Sequence, residues 1–179
     1  MSGLSAREIS RISLGIALIA VCSWISIPTV IPFTLQTFAV CLVTALLGLK
    51  GGLWTVAGYL LLGAVGVPVF SGFRGGPGAL LGTTGGYLAG FLFTALTVGL
   101  ALRRFPFTLP VLLGSMAVGV LMCYCFGTAW FMAVYARSTG PISLATALGW
   151  CVLPYLVPDA LKILLAAFLA RRLRPLIPA

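Results

Sequence analysis

Apolar runs of helix length, parted by short intervals of breakers and charges, take up almost the whole of this chain. Reading them against their breakers places spans near 11–27, 35–49, 52–66, 82–102, 109–135 and 142–170. The punctuation is Pro28 and Pro32, Lys50 to Gly52, a Gly-rich stretch from Val67 to Leu81, Arg103 to Pro106, and Arg137 to Pro141. Crossing a hydrocarbon core takes about 20 residues, so six crossings use ~120 and come close to the most the chain can hold. With 61% hydrophobic residues among 179 and only 7% charged, the composition lies far from globular averages. The expected fold is an all-α integral membrane protein, a six-span bundle forming a single domain over 1–179. The run after Arg11 continues to Ile27 with no small-residue cleavage site, so it reads as the first helix rather than a leader.

An even number of spans puts both termini on one side, and the basic residues say which. Arg7, Arg11, Lys50, Arg103, Arg104, Arg171, Arg172 and Arg174 fall on that side, against Arg74 and Arg137 on the other. The positive-inside rule then places both termini in the cytoplasm. The formal charge of +9 is scattered singly and in pairs, with no continuous face for nucleic acid.

Composition also excludes chemistry. There is no His, and the carboxylate side chains are Glu8 and Asp159 alone, which rules out His-based triads and carboxylate dyads. The five cysteines, Cys22, Cys41, Cys123, Cys125 and Cys151, form no CxxC pair and lie in apolar stretches, as buried small hydrophobes do. No enzyme, metal site or cofactor is expected. No GxxxxGK[ST] phosphate loop occurs, so the chain is not expected to hydrolyse ATP in the P-loop manner.

Two features point to a binding function. The segment 67–81, VPVFSGFRGGPGALL, has apolar residues throughout, yet its prolines and glycines argue against a stable helix. So apolar a loop is expected to fold back as a lid over an outward-facing pocket, or as a passive connector. The second feature is Asp159 with Lys162, three residues apart on one helical face inside PYLVPDALKILLAAFLA. Counted from Arg171, they stand ~18 Å and ~13 Å into a core of ~30 Å. Charged groups at that depth face a bundle interior or wet cavity and mark a functional site, although an i,i+3 pair also serves as a brace. Pro154 and Pro158 just before them are expected to disturb the helix. Gln36 with Thr34 and Thr37, the Thr83-Thr84-Gly85-Gly86-Tyr87 turn, Trp130 and Tyr155 complete a candidate cavity with few polar groups. A carboxylate solute suits Lys162, paired N–H donors suit Asp159, and Arg74 in the outer loop competes for the carboxylate.

Three stretches resemble one family, the BioY substrate-binding (S) subunits of energy-coupling-factor (ECF) biotin transporters. They are Pro32-Phe-Thr-Leu-Gln-Thr-Phe38, the run from Pro68-Val-Phe70 through Gly75-Gly76 to Gly82-Thr-Thr-Gly-Gly-Tyr87, and Pro158-Asp-Ala-Leu-Lys162. The resemblance covers nearly the whole chain and lies in the order and combination of the stretches. It implies a multi-pass protein of a prokaryotic cytoplasmic membrane that captures biotin near the outer face, under the loop between the third and fourth helices. Asp159 and Lys162 match the family's Asp-x-x-Lys motif, with Asp159 toward the ureido ring and Lys162 toward the carboxylate. The Gly85-Gly86-Tyr87 turn is expected to bring backbone N–H groups to the ligand. The family usually has Pro where Thr83 stands and often Gly where Pro158 stands. Its partners are a transmembrane coupling subunit and two cytoplasmic ATPases. In place of the family's Ala-x-x-x-Ala face on the first helix stand Ser13 and Ala17, with Ala20 nearby, still small enough for close helix contact. An S component for another vitamin, a proton-coupled carrier using Asp159, and a scaffold subunit are the alternatives.

Overall fold

A computed structural model describes residues 5–176. Helix α1 (Ala6–Trp24) starts where Ser5 and Glu8 form a reciprocal capping box, the Glu8 N–H donating to Ser5 Oγ at 3.3 Å and the Ser5 N–H to Glu8 Oε2 at 2.8 Å. The cap starts the helix earlier than the apolar pattern does. At its far end the chain leaves α1 into a two-stranded antiparallel ribbon of β1 (Ser26–Ile27) and β2 (Phe33–Thr34). Helix α2 (Gln36–Ala64) follows, then α3 (Pro77–Leu81), α4 (Gly85–Arg104), α5 (Leu109–Ser138), α6 (Leu144–Cys151) and α7 (Leu156–Leu173).

Within α2, Gly48 has φ 71° and ψ −172°, a conformation open essentially to glycine. The chain reverses there. In a continuous helix Gln36 and Tyr59 would stand ~34 Å apart, yet Gln36 Nε2 donates to the Tyr59 hydroxyl at 2.6 Å, and Gly52 packs on Thr44. The halves, 36–47 and 49–64, correspond to the short second and third runs. Lys50 to Gly52, expected as the break, lie in the first turn of the second half.

The segment from 142 to 170 also divides. Helix α6 ends at Cys151, a 3-10 turn covers Leu153–Tyr155, and α7 begins at Leu156. Pro158 lies in the first turn of α7, where a backbone N–H has no intrahelical acceptor, so it costs no hydrogen bond. The expected disturbance is confined to the α6–α7 junction. In the loop between α2 and α4 Pro77 opens the short helix α3, a helical turn where none was expected, because proline suits a first turn.

Among the described residues, four stretches are long and apolar enough to cross a membrane by length and composition: Gln36–Ala64, Gly85–Arg104, Leu109–Ser138 and Leu144–Leu176. The helices of the bundle pack through small residues that let them approach closely. A Cβ on Gly15 of α1 would lie 2.8 Å from Thr55 Cγ2, and one on Gly90 of α4 would lie 2.6 Å from Cys123 Sγ of α5. Cys22, Cys41, Cys123 and Cys151 are buried as expected of small hydrophobes, whereas Cys125 is exposed on the outer face of α5.

The two ends of the bundle differ. At one end lie the Gly48 turn, Arg103 and Arg104 in the last turn of α4, and Arg171 and Arg172 in the last turn of α7. Gly99 packs on Leu49 there, and the Arg174 guanidinium lies 3.8 Å from the Phe107 ring centre. The other end carries the β-ribbon and the loop from Val65 to Thr84.

Candidate functional site

The loop is held down residue by residue. Phe70, 2% exposed, sits so close to Gly63 that a Cβ there would meet the ring at 1.9 Å, and its ring meets Tyr59 edge-on at 5.5 Å. Trp24 Nε1 donates to Pro68 O at 2.9 Å while its ring stacks on Phe73 at 5.2 Å. The Tyr59 hydroxyl donates to Val69 O at 3.0 Å. Paired backbone bonds join Phe70 and Arg74.

Beneath this loop is a cavity of about 90 Å³, where a single water needs about 10–15 Å³. Asp159 and Lys162, 5% and 6% exposed, face it from α7, with Lys162 Nζ donating to Asp159 Oδ1 at 2.7 Å. Tyr124 of α5 donates its hydroxyl to the other carboxylate oxygen, Oδ2. The Lys162 ammonium lies 3.9 Å from the ring centre of Phe33 in β2, a cation–π contact that partly replaces lost hydration. Phe33 stacks in turn on Tyr155, whose hydroxyl donates to Ile31 O.

Gln36, Phe70, Arg74, Tyr87, Tyr155, Asp159 and Lys162, all candidates from the sequence, line this one cavity. Gln36 is largely committed: Nε2 donates to Tyr59 and Oε1 accepts from Thr34 Oγ1 at 2.9 Å. It ties β2, α2 and the loop into one wall. Gly85, Gly86 and Trp130 are not among the lining residues. A Cβ on Gly85 would lie 1.6 Å from Leu80 O, one on Gly86 would lie 2.2 Å from Trp130 Cβ, and Trp130 Nε1 donates to Gly82 O at 2.9 Å. These residues pack the turn before α4 against α5 from behind. On α1, Ser13 and Ala17 are exposed, but Ala20 is 5% exposed and belongs to the core. Its side chain is therefore not available to a partner.

Tyr124 and Phe33 were not legible as site residues. Tyr124 left one signal, a hydroxyl midway along the fifth apolar run. Phe33 left only its place in the Pro32–Phe38 stretch, which does not single it out, and only the fold brings it against Lys162.

A helical bundle with membrane-length apolar helices and a capped cavity, bearing a buried ammonium–carboxylate pair, defines a membrane protein built around a small-solute site. The BioY family model matches residues 1–179. The chain is 39% identical over 172 residues to the biotin transporter BioY of Thermotoga maritima, covering 95% of this chain and 97% of that one. It is 37% identical to the probable biotin transporter BioY of Pyrococcus horikoshii, with coverages of 96% and 98%. A crystal structure of the S-component for biotin from an ECF-type ABC transporter matches with a TM-score of 0.86 at 26% identity, over 97% of this chain and 95% of that one. The chain belongs to the BioY family, whose members are transport proteins and not enzymes.

Proposed function

We propose that this chain captures biotin with high affinity as the S component of an ECF-type transporter. The observation that carries the reading is the Asp159–Lys162 pair, buried in the wall of a cavity that a well-anchored loop covers. Burying two charges is costly even when they pair, and here the pair supplies both an acceptor for ureido N–H groups and a donor for a carboxylate. Arg74 on the loop adds a second cation to the same wall, so the formal charges of Asp159, Lys162 and Arg74 leave the lining one positive charge in excess, complementary to a monoanion. The names of the relatives and the matching S-component structure favour biotin as that anion.

In this reading the bundle crosses the cytoplasmic membrane six times, the halves of α2 counting separately. Both termini and the arginine-rich end lie in the cytoplasm, and the loop 67–81 is the outer lid. Uptake against a gradient then needs a transmembrane coupling subunit and two cytoplasmic ATPases, with the exposed Ser13 and Ala17 face of α1 available to the membrane partner.

Equilibrium binding of biotin to the purified chain in nanodiscs, with thiamin and riboflavin as competitors, tests this. Asp159→Asn and Lys162→Ala are each expected to weaken binding at least ~10-fold, the scale of a hydrogen bond to a charged group, with folded protein retained. Folded wild type that ignores biotin would overturn the reading. Proton movement driven by another solute and lost in Asp159→Asn would put a proton-coupled carrier in its place.

A further inference from the structure

A carboxylate offers about four acceptor directions, two on each oxygen. In Asp159 one direction on Oδ1 is taken by Lys162 at 2.7 Å and one on Oδ2 by the Tyr124 hydroxyl. The two donors come from different helices, α7 and α5, so they fix the plane of the carboxylate as well as its position. One acceptor direction remains on each oxygen, so the carboxylate can still accept from two further donors. Lys162 is itself held over Phe33 at 3.9 Å, so the ammonium is not free to follow a rotating carboxylate. Asp159 and Tyr124 both line the cavity, so a solute contacts the carboxylate in the orientation the tyrosine sets.

We infer that Tyr124 is a positioning and specificity-determining residue: its hydroxyl turns Asp159 into a fixed two-acceptor edge that selects solutes carrying two N–H donors side by side, as a cyclic urea does. Tyr124 acts through Asp159 rather than as an independent ligand contact. This assignment rests on the biotin reading above, and its test separates the two. Tyr124→Phe removes the hydroxyl and keeps the ring.

Biotin affinity is measured for the wild type, Tyr124→Phe, Asp159→Asn and the double variant, with melting of the ligand-free protein as a check on folding. The expected loss for Tyr124→Phe is about tenfold with Asp159 present, the scale of a hydrogen bond to a charged group, and less than about twofold in the Asp159→Asn background, because coupled residues are non-additive. Equal losses in both backgrounds, or no loss with Asp159 present, would overturn the assignment while leaving biotin binding intact. Wild type without biotin binding would overturn the functional reading and this assignment together. A second readout is the preference for biotin over an analogue methylated on one ureido nitrogen. The preference is expected to fall in Tyr124→Phe, and an unchanged preference beside a weakened biotin affinity would count against positioning. Tyr124→Met, which also lacks the hydroxyl, repeats both measurements if Tyr124→Phe does not fold.

Discussion

Gly63 shows how much of the site depends on single contacts behind it. It does not line the cavity, yet the Phe70 ring occupies the place of its missing side chain, and Phe70 anchors the loop above the cavity. Gly63→Ala must push that ring out of its seat. We expect a loss of about 1–3 kcal/mol, the usual cost of overpacking, read as a lower melting temperature. Faster protease cleavage within 65–84 should accompany it, whereas cleavage at the wild-type rate would show that Phe70 does not hold the loop. The same logic separates the candidate residues. Asp159 and Lys162 were legible because charge in an apolar run is costly wherever the run ends up. The roles of Gly85 and Gly86 were not, because a glycine pair suits close approach to a ligand as well as it suits close approach to Leu80 and Trp130.

At the scale of elements, the hairpin of α2 is decided by one backbone position. Nothing lies within 4 Å of a Cβ built on Gly48, so space does not forbid a side chain; φ 71° with ψ −172° does. Gly48→Ala is expected to cost about 1–3 kcal/mol. Gly48→Asn is expected to cost as much, since asparagine tolerates the left-handed helical region but not this one, and chemical denaturation in detergent measures both. An asparagine variant as stable as wild type would mean that the turn relaxes into a left-handed form. The junction between α6 and α7 is the complementary case. Its prolines look disruptive in one dimension, but Pro158 falls in a helical first turn and leaves α7 intact beneath it. Asp159 and Lys162 therefore hang from a regular helix, which is why their i,i+3 spacing becomes a 2.7 Å ion pair.

Across the whole molecule, the cluster of arginines and the cavity sit at opposite ends. Arginines crowd the end with the Gly48 turn, while the loop, the β-ribbon and the cavity lie at the other. If the basic end is cytoplasmic, a cysteine at position 50 in a variant without native cysteines is shielded from an impermeant maleimide in intact cells, and one at position 137 is labelled. The reverse pattern would invert the proposed orientation. Transport should divide in the same way: the chain alone in liposomes binds biotin, and ATP-dependent accumulation appears only when coupling and ATPase subunits are added. Accumulation by the chain alone on addition of ATP would refute that division.

The sequence by itself determined the solvent in which this protein folds, the helical class, the clustering of basic residues at one end, and the charged pair at the heart of the site. These follow from local terms: hydropathy over about 20 residues, charge counts between runs, and the three-residue spacing of a helix face. Tertiary structure decided which residues share the cavity wall, that Gln36 is tied to Tyr59 and Thr34, and that Trp130 packs behind the site while Tyr124 and Phe33 take hold of Asp159 and Lys162. Those outcomes depend on the rotation and register of helices distant in the chain. Such quantities are set by close packing among many side chains at once, and no short window of sequence contains them.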